Sequence, residues 1–473
     1  MNIESDFLMT INGHGVTAPS RIDVVNPADG KTFALAPNCT KEQLDEAVLS
    51  ARAAFPDWAA RPIAERADML KQAGEALRAH ATELTQLFTR EHGRPIEAAR
   101  LEVLGAADWL GAASELRPPF HIVENSASQR VETRYVPLGV VCAIAPWNFP
   151  IVLAIWKIAP ALLAGNTVVL KPSPFTPLCS LKLGELLREV FPPGVLNVVC
   201  GDDSLGPMMT AHPGIDKISF TGSTSTGRKV MESAASSLKR LTLELGGNDA
   251  AIVMPDVDLD AVVPQIFMGS FYNSAQVCIA TKRLYVHEDI YDGVRDRLAA
   301  IARATKVGDG TEADTMLGPV QNKRQYERLL SLLRSVQESG APILQGTEVP
   351  SNGGYFVRLT IVDNPPEESR VVQEEAFGPI LPMMKFSDVD DVIDRVNRSE
   401  YGLAAAVWCK DIQRATAIAH RLETGTVWIN QNLNLRPDTP FAGRKQSGFG
   451  VENGVDGLLE FMAPQSIYSA LAT

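Results

Sequence analysis

The amino-acid sequence predicts an α/β protein built on two parallel sheets, each covered by helices. Short apolar runs alternate with helix-like stretches along most of the chain, a pattern typical of parallel sheets with helices on both faces. The length of 473 residues corresponds to about three average domains, so we expect more than one hydrophobic core. Hydrophobic residues make up 45% of the chain and charged residues 21%, which indicates a folded protein.

The overall charge argues against a nucleic-acid or membrane-surface partner. The chain has 44 Lys and Arg residues against 56 Asp and Glu residues, and the net charge of −12 is the wrong sign for neutralising phosphates. Its six cysteines are widely spaced and form no CxxC pair, as expected of reduced thiols in a cytoplasmic protein. No basic segment precedes an apolar one at the start of the sequence, so no secretory signal is predicted there.

The most apolar region, residues 140–170, is long enough to cross a membrane. It is interrupted by Pro146, Asn148, Lys157 and Asn166, whose groups would be costly to bury in lipid. We therefore expect a strand, a loop, a helix and a second strand here.

Residues 40–115 are predicted to be helical. Thr40 and Gln43 have the spacing of a capping box, in which each side chain bonds the other's backbone N–H. Pro62 stands where a second helix would begin, because proline is favoured in the first turn. The apolar faces of these helices need a sheet to cover.

Apolar runs supply the strands of two sheets. The first series is VVCAIA (140–145), TVVLK (167–171), VLNVV (195–199), KISF (217–220) and LTLEL (241–245). The second is RLYVH (283–287), ILPMMKF (380–386), LAAAVWC (403–409) and GTVWIN (425–430), with helices at 388–398 and 411–422. Residues 116–137 and the tail after 455 fit neither series, and the tail segment FMAPQSIYSAL is typical of an exposed strand that needs a partner.

The segments that follow the strands of the first sheet carry the candidate ligand groups, since open parallel sheets bind ligands at their carboxyl edge. Ser223 can cap a helix directly after Gly222, which makes a site for pyrophosphate, although an ordinary strand-to-helix turn has the same pattern. The segment is not a P-loop, because Arg228 follows Gly227. No strand is followed by GxGxxG, and Gly13-His14-Gly15 is predicted to be a hairpin turn.

Five side chains are candidates for chemistry. Cys278 is a candidate nucleophile, although a lone cysteine in apolar surroundings is more often a small buried hydrophobe. Glu244, at the end of an apolar run, could be a base with a raised pKa or half of an ion pair. The Asn148 amide could donate a hydrogen bond to an oxygen that becomes negative during a reaction, or only to backbone groups. The charged end of Lys171 could bind a ligand hydroxyl or be exposed to solvent. Glu375 lies beside an apolar turn and could simply be exposed.

Taken in chain order, these segments resemble the aldehyde dehydrogenase superfamily over nearly the whole chain. The resemblance rests on seven segments, each weak alone but specific together: PWNFP (146–150), KPSP (171–174), FTGS (220–223), LELGG (243–247), QVC (276–278), EEAFGP (374–379) and PFAGRKQSG (440–448).

The resemblance implies the roles of four catalytic residues and no metal. Cys278 would be the nucleophile, Glu244 the general base, and Asn148 part of an oxyanion hole with the backbone N–H of Cys278. Lys157 matches a lysine that helps the base pass protons. A free thiol of pKa ~8.5 needs about 2 kcal/mol of help for full ionisation at pH 7, which helix dipoles, backbone amides or a positive cofactor ring could give.

The resemblance also implies an NAD-binding site. Lys171 would bind the adenosine ribose, Gly222 and Ser223 the pyrophosphate, and Glu375 the nicotinamide ribose, with Trp147 near the adenine end. The whole implied set is Ile144, Ala145, Pro146, Trp147, Lys171, Ser173, Pro174, Gly222, Ser223, Gly246, Glu375 and Phe377.

Four positions depart from the family's pattern. Pro174 replaces a glutamate that grips the ribose hydroxyls in many NAD-preferring members, so NADP stays open beside the favoured NAD. Ala275 and Ala442 replace common glycines, and Val451 replaces a common arginine.

The implied substrate is a small aldehyde. An apolar or aromatic aldehyde is favoured by the apolar residues that would line the tunnel: Phe149, Trp156, Leu433, Leu435 and Phe441, each of which could instead be core. Arg436 could anchor a carboxylate, which would favour a semialdehyde acid.

The implied organisation is a Rossmann-like NAD(P)-binding domain at 1–115 and 138–246 and an α/β catalytic domain at 247–446. Residues 116–137 and 447–473 would be oligomerisation segments of a homodimer or homotetramer. The alternatives to hydrolytic aldehyde oxidation are a CoA-acylating relative, a cysteine hydrolase, for which no Cys-His pair is visible, and a crystallin-like structural protein.

Overall fold

The structure, a computed structural model, describes residues 6–471. Two large sheets and three small ones organise these residues, with helices packed on both faces of the large sheets. The predicted α/β class is therefore confirmed.

Strands are the first set of elements. In chain order they are β1 (Met9–Ile11), β2 (His14–Val16), β3 (Ser20–Asn26), β4 (Lys31–Asn38), β5 (His121–Asn125), β6 (Gln129–Pro137), β7 (Val140–Ile144), β8 (Thr167–Lys171), β9 (Leu196–Val198), β10 (Lys217–Thr221), β11 (Arg240–Glu244), β12 (Ala250–Val253), β13 (Arg283–His287), β14 (Ile343–Gln345), β15 (Thr360–Asp363), β16 (Ile380–Phe386), β17 (Tyr401–Gly402), β18 (Ala404–Trp408), β19 (Thr426–Ile429), β20 (Arg444–Lys445), β21 (Gly448–Phe449) and β22 (Met462–Ala470).

Helices are the second set. They are α1 (Lys41–Ala60), α2 (Ile63–Ala79), α3 (Ala81–His92), α4 (Ile96–Ser114), α5 (Val152–Ala164), α6 (Leu178–Leu187), α7 (Leu205–Ala211), α8 (Thr224–Ala235), α9 (Leu259–Phe271), α10 (Tyr291–Ala304), α11 (Lys323–Ser339), α12 (Arg370–Gln373), α13 (Val389–Asn397), α14 (Ile412–Ala419) and α15 (Gly454–Leu459), with short 3-10 turns at Tyr272–Ala275 and Glu288–Ile290.

The first sheet has the order β2-β1-β9-β8-β7-β10-β11-β21. Its five central strands are parallel and are the five predicted ones, with ends that differ by one or two residues. The chain runs from β7 outward through β8 to β9 and then returns to β10 on the other side of β7. This reversal opens a crevice at the carboxyl ends of β7 and β10, where open α/β sheets bind ligands.

The predicted helix signals are confirmed. The Thr40 side chain accepts the backbone N–H of Gln43 at 3.2 Å, and the Gln43 side chain accepts that of Thr40 at 3.1 Å. Helix α2 begins directly after Pro62. Residues 140–170 form β7, α5 and β8, as expected, and among residues 6–471 no helix combines the length and apolar composition needed to span a membrane.

The second sheet has the order β14-β15-β16-β13-β12-β18-β19 and is parallel except at β14. All four predicted strands of the second series belong to it. The sequence did not predict β12, a central strand, because only residues 245–249 separate it from β11 and the two apolar runs merge.

The predicted turn near the N-terminus was wrong in its position. The hairpin between β1 and β2 turns at Asn12 and Gly13, with φ of 50° and 76°, while His14 and Gly15 belong to β2. A two-residue hairpin turn of this kind needs positive φ at both positions, and Asn-Gly is the pair that adopts it most readily.

The C-terminal strand finds its partner in the same chain. Strand β22 pairs antiparallel with β6 from Met462 opposite Pro137 to Ala470 opposite Gln129, and β5 completes a three-stranded sheet. Ile122, Val123 and Tyr468 on this sheet are exposed. The exact domain boundaries and the oligomeric state stay predictions, and β21, within the segment predicted to bridge subunits, pairs with β11.

Candidate active site

The loop that carries Cys278 has an unusual backbone. Asn273, Ser274 and Ala275 all have positive φ, between 54° and 60°, a conformation that costs about 1–2 kcal/mol for each residue with a side chain. Buried bonds hold the loop, since the Ser274 hydroxyl donates to the Gly318 carbonyl at 2.7 Å and the Gln276 side chain accepts the Gln321 N–H at 2.8 Å. The positive φ at position 275 explains why glycine is common there, and this chain places Ala275 in that conformation.

Asn148 lies against this loop. Its Nδ2 donates to the Gln276 carbonyl at 3.0 Å, and Asn273 Nδ2 donates to the Asn148 carbonyl and to the same Gln276 carbonyl, both at 3.3 Å. Because a side-chain amide carries two N–H donors, Asn148 has one further donor for a ligand near Cys278.

Arg94 and Glu102 fix the position of Asn148. They form an ion pair in which the side chains are 0% and 2% exposed, and Arg94 also donates to the Asn148 carbonyl. The second oxygen of Glu102 accepts the N–H groups of Ile151 at 3.0 Å and Val152 at 3.2 Å, at the start of α5. The sequence did not predict this pair, because the partners of Arg94 and Glu102 lie about fifty residues away along the chain.

The Arg94 guanidinium lies between two aromatic rings. It is 4.7 Å from the centre of the Phe88 ring and 4.5 Å from that of Phe149, a residue predicted to line the aldehyde tunnel. The same cation therefore contacts both the backbone of Asn148 and the ring of Phe149.

Glu244 ends β11 and is buried. Both of its carboxylate oxygens lack a hydrogen-bond partner among residues 6–471. Burial, and then the nearby charge of Glu452, raise the pKa of Glu244 well above its usual range, while Lys157 opposes the rise. This environment is typical of a carboxyl group that exchanges protons near neutral pH.

Lys157 is paired with a residue that the sequence did not predict. Its Nζ lies 2.7 Å from Glu452 Oε1 and donates to the Ser219 hydroxyl at 3.2 Å, and the Lys157 and Glu452 side chains are 1% and 0% exposed. Glu452 and Phe441 exchange two backbone hydrogen bonds of 2.8 Å. Nothing in the sequence around Glu452 marks it, since its partners come from α5 and β10.

The surroundings of Cys278 do not activate its thiol. Burial raises the pKa of Cys278 to about 12, Lys282 lowers it, and Asp249, Glu244 and Glu375 raise it further. Partly exposed Cys278 is one of six cysteines, all free and the other five buried. The expected lowering of the pKa by the protein alone is therefore not found, and ionisation has to come from a bound group or from proton transfer to a base.

Lys282, another residue that the sequence did not predict, connects Cys278 to Glu375. Its Nζ donates to the Cys278 carbonyl and lies 3.5 Å from Glu375 Oε1. Glu375 also accepts the Gly247 N–H at 3.1 Å, and a side chain at Gly246 would collide with the Glu375 carboxylate. A glycine at position 246 is thus required for Glu375 to lie over the end of β11.

The other predicted cofactor residues lie at the same edge of the first sheet. The Gly222 N–H donates to the Glu244 carbonyl at 3.0 Å, and Ser223 caps α8 by accepting the Thr226 N–H at 3.3 Å. Trp147 packs edge-to-face on Phe377, with ring centres 5.3 Å apart. Ile144, Ala145 and Pro146 end β7, at the reversal in strand order.

A cavity of about 350 Å³ lies beside Lys171, at the carboxyl ends of β8 and β9. It is lined by Ile22, Asp23, Pro174, Phe175, Asp202, Asp203 and Ser204. Lys171 is the last residue of β8, and Ser173, two residues further along, is buried. Lys171 Nζ donates to the Pro172 carbonyl at 3.2 Å. Burial lowers the pKa of Lys171, and Asp203 and Asp202 are among the groups that oppose this change.

Aromatic side chains gather near Cys278. Phe149 stacks on Tyr272 with ring centres 6.4 Å apart, and Trp156 contacts Phe441 at 5.7 Å. Trp156 and Phe441 are buried in the core of the second sheet, and Cys278, Leu433 and Leu435 pack against that core. Arg436 is bonded to Asp438 through two nitrogens, at 2.9 and 2.6 Å, with its side chain 68% exposed.

These features fit a dinucleotide. The lack of a side chain at Gly246 lets the Glu375 carboxylate lie over the end of β11, the capped start of α8 offers backbone N–H groups for phosphates, and a cavity of about 350 Å³ is lined by Pro174, three residues after Lys171. No group of three or more His, Cys, Asp or Glu side chains within residues 6–471 could hold a metal ion.

Comparison with known proteins gives consistent matches along the chain. A family model described as "Aldehyde dehydrogenase family" matches residues 16–467. A putative aldehyde dehydrogenase, FUS7, from Gibberella fujikuroi is 44% identical, with 98% of each chain covered. Phenylacetaldehyde dehydrogenase from Pseudomonas fluorescens is 39% identical over 98% of this chain and 95% of its own. A Bacillus cereus aldehyde dehydrogenase solved with NAD+ superposes with a TM-score of 0.95 at 36% identity, covering 99% of this chain and 98% of its own.

We expect Arg94→Met to cost about 3–5 kcal/mol of unfolding free energy, because Glu102 would be left buried without its cation. Chemical denaturation measures the loss. Replacing both partners by methionine should recover much of it, and Arg100→Met, which breaks an exposed pair with Glu97, should change stability little. An equal, small loss in both single variants would contradict the role given to the buried pair.

Proposed function

The chain belongs to the aldehyde dehydrogenase family, and from that premise we propose that it oxidises an aldehyde to a carboxylic acid with Cys278 as nucleophile and NAD as hydride acceptor. NAD(P)-dependent aldehyde oxidation is the activity of this family. The observation that supports the assignment of residues is that the Asn148 amide bonds to the loop carrying Cys278, while the buried carboxylate of Glu244 has no hydrogen-bond partner among residues 6–471.

Cys278 acts first. The thiol first loses its proton to solvent, and the resulting thiolate sulfur bonds to the carbonyl carbon of the aldehyde, whose oxygen becomes an oxyanion. The free N–H of the Asn148 amide and the backbone N–H of Cys278 stabilise that oxyanion. The Arg94 contact keeps the Asn148 backbone in place, so little reorganisation is needed as the charge develops.

Glu244 acts in the second half of the reaction. Bound NAD supplies the hydride acceptor, and the acyl group then remains on Cys278 as a thioester. Glu244 takes a proton from water as the water oxygen attacks the thioester carbon, and the Cys278 sulfur leaves. Glu244 then passes the proton to the Glu452 carboxylate, which the Lys157 ammonium holds in place.

The cofactor lies along the carboxyl edge of the first sheet in this proposal. Lys171, Ser173 and Pro174 hold the adenosine end, Gly222 and Ser223 the phosphates, and Glu375 the nicotinamide ribose. Asp202 and Asp203 line the cavity beside Pro174. The negative charges of these two aspartates repel the 2′-phosphate of NADP, as the glutamate that Pro174 replaces would have done. NAD is therefore preferred to NADP.

The substrate is an apolar or aromatic aldehyde in this proposal. The side chains around Cys278 are aromatic or aliphatic, and burying an aromatic ring among them is favourable by about 25 cal/mol per Å2. Arg436, the rival anchor for an acid, is already neutralised by Asp438. The similarity to a phenylacetaldehyde dehydrogenase supports the same class.

We further propose that the first sheet belongs to the cofactor domain, the second to the catalytic domain, and the sheet of β5, β6 and β22 to the contact between subunits of a homodimer or homotetramer. The exposed Ile122, Val123 and Tyr468 support this contact.

A cytoplasmic location is proposed from the six free cysteines. The orphaned carboxylate of Glu244 favours hydrolysis over transfer to CoA, and turnover with NAD would exclude a crystallin-like role.

We expect Cys278→Ala to abolish turnover, and Glu244→Gln to keep a burst of NADH but slow the steady state by about 10²–10⁴-fold, because only thioester hydrolysis loses its base. Stopped-flow absorbance of NADH separates the phases. Wild-type hydrolysis should slow as the pH falls below the raised pKa of Glu244, since only the carboxylate accepts a proton. Cys409→Ala is the control and should turn over normally. Wild-type steady-state rates in Glu244→Gln would contradict the assignment.

We expect kcat/KM to be at least about tenfold higher for benzaldehyde than for succinic semialdehyde, because the pocket is apolar and lacks a free cation. Initial rates with NAD measure both values. Arg436→Gln should leave the ratio unchanged. A preference for the semialdehyde acid that disappears in Arg436→Gln would overturn the proposed substrate class.

We expect ADP to bind at least about tenfold more tightly than adenosine 2′,5′-bisphosphate, because Asp203 repels the 2′-phosphate. Titration calorimetry measures both without turnover. Asp203→Asn should bring the affinities for the two ligands closer together. Asp68→Asn, at an exposed position on α2, should leave their ratio unchanged. Asp202 is left in place because it accepts the Ser204 N–H and the Asn38 amide. Equal affinities in the wild type would contradict the preference.

A further inference from the structure

Helix α11 packs against the loop that carries Glu375 and Phe377, two residues of the implied cofactor site. This loop, residues 374–379, joins α12 to β16. It lies close to the helix, because a side chain at Gly378 would collide with Leu329, a buried residue of α11. The helix is thus the surface on which Glu375 and Phe377 are placed.

Two side chains of α11 bond to the backbone of the 374–379 loop. Gln325 Nε2 donates to the Ala376 carbonyl at 2.8 Å and to the Phe377 carbonyl at 3.0 Å. Arg328 donates to the Glu375 carbonyl at 2.7 Å. Residues three apart on a helix lie on the same face, so one face of α11 holds three consecutive carbonyl groups of the loop.

Phe377 is the residue of the loop that most needs this support. Its φ is 53°, in the left-handed region that is unfavourable for a residue with a side chain. The Gln325 amide bonds to the peptide groups before and after Phe377, and so fixes both dihedral angles of that residue. In this conformation the Phe377 ring packs edge-to-face on Trp147. Without the Gln325 amide, the loop has less reason to keep the ring there.

The carboxylate of Glu375 is oriented from the opposite side. Its Oε1 accepts the Gly247 N–H at 3.1 Å and lies 3.5 Å from Lys282 Nζ, while its Oε2 faces Gly246. These contacts set the direction of the carboxylate only while the backbone of Glu375 stays in place. The bond from Arg328 holds that backbone.

The first turn of α11 is joined to the loop that carries the nucleophile. The Asn322 side chain caps the helix by accepting the Gln325 N–H at 2.9 Å, and its Nδ2 donates to Gln321 Oε1 at 3.3 Å. The Gln321 N–H in turn donates to the Gln276 side chain, two residues before Cys278. The helix that holds the 374–379 loop is therefore fixed relative to Cys278.

We propose that Gln325 and Arg328 are positioning residues for the nicotinamide half of the cofactor. The proposal rests on the proposed function, in which Glu375 binds the nicotinamide ribose. The two side chains keep the loop in its binding conformation before the cofactor arrives, which removes a cost that binding would otherwise have to offset. Without them only a fraction of the molecules has the right loop conformation, and the apparent affinity falls by that fraction.

A purely structural role for Gln325 and Arg328 makes a different prediction. If they only stabilised the packing of α11, their loss would lower the melting temperature and would weaken NAD and ADP equally or not at all. A positioning role separates the two halves of the cofactor. The affinity for NAD falls, whereas the affinity for ADP, which lacks the nicotinamide ribose, is unchanged.

The test uses Gln325→Met, which keeps the length of the side chain and removes both N–H donors. Titration calorimetry should show the ratio of the NAD affinity to the ADP affinity falling by about fivefold or more, with the ADP affinity at its wild-type value. The rate of the NADH burst should fall by a similar factor. Arg328→Met should show the same separation, and Arg328→Lys, which keeps a donor, should recover part of the NAD affinity.

The controls are Gln337→Met and Arg324→Met, at exposed positions on the same helix, and both should bind NAD and ADP as the wild type does. An unchanged affinity ratio in Gln325→Met or Arg328→Met would overturn the role of that residue, as would an equal loss for both ligands. If Gln325→Met does not fold, Arg328→Met, at an exposed position, decides alone. Aldehyde-dependent NADH formation by the wild type would leave the proposed function intact in each case, and its absence would overturn the proposed function itself.

Discussion

The site depends on one fully buried ion pair. Arg94 and Glu102 are removed from water, at a desolvation cost that only well-placed hydrogen bonds offset. Those bonds go to the Asn148 carbonyl and to the first N–H groups of α5, so the same pair sets the oxyanion donor and the helix that carries Lys157. Asn148 in turn bonds to the strained loop before Cys278. Cys278, Asn148 and Lys157, the residues proposed as nucleophile, oxyanion donor and partner of the base, are thus positioned from one point.

Burial opposes ionisation of both proposed reacting groups. It raises the pKa of the Cys278 thiol to about 12 and that of the Glu244 carboxyl well above its usual range, and the charge of Glu244 raises the pKa of Cys278 further. A protonated thiol is a weak nucleophile and a poor target for oxidants. We therefore expect the Cys278 thiol to ionise when a bound cofactor alters its surroundings, which would link activation to occupancy of the site.

Local patterns in the sequence were sufficient for the α/β class and for most strands of the two large sheets. Apolar runs located five strands of the first sheet and four of the second, but not β12, which merges with β11, nor β14 and β15. Strand ends located Asn148, Glu244 and the turn at Gly222 as candidates. Arg94, Lys282 and Glu452 were not predicted because each acts through partners far along the chain, and no local period or motif encodes such contacts. The positive φ of Ala275 likewise depends on tertiary bonds that overcome the preference of alanine.

The backbone bridge between Phe441 and Glu452 joins two parts of the enzyme that are usually considered separately. Phe441 belongs to the aromatic cluster near Cys278. Glu452 is instead paired with Lys157, and its charge raises the pKa of Glu244. Reshaping the pocket at position 441 to admit bulkier aldehydes would shift the chain that carries the Glu452 carboxylate. In the proposed function, substrate range and turnover number would therefore be coupled, because a change at Phe441 acts on the backbone that carries Glu452.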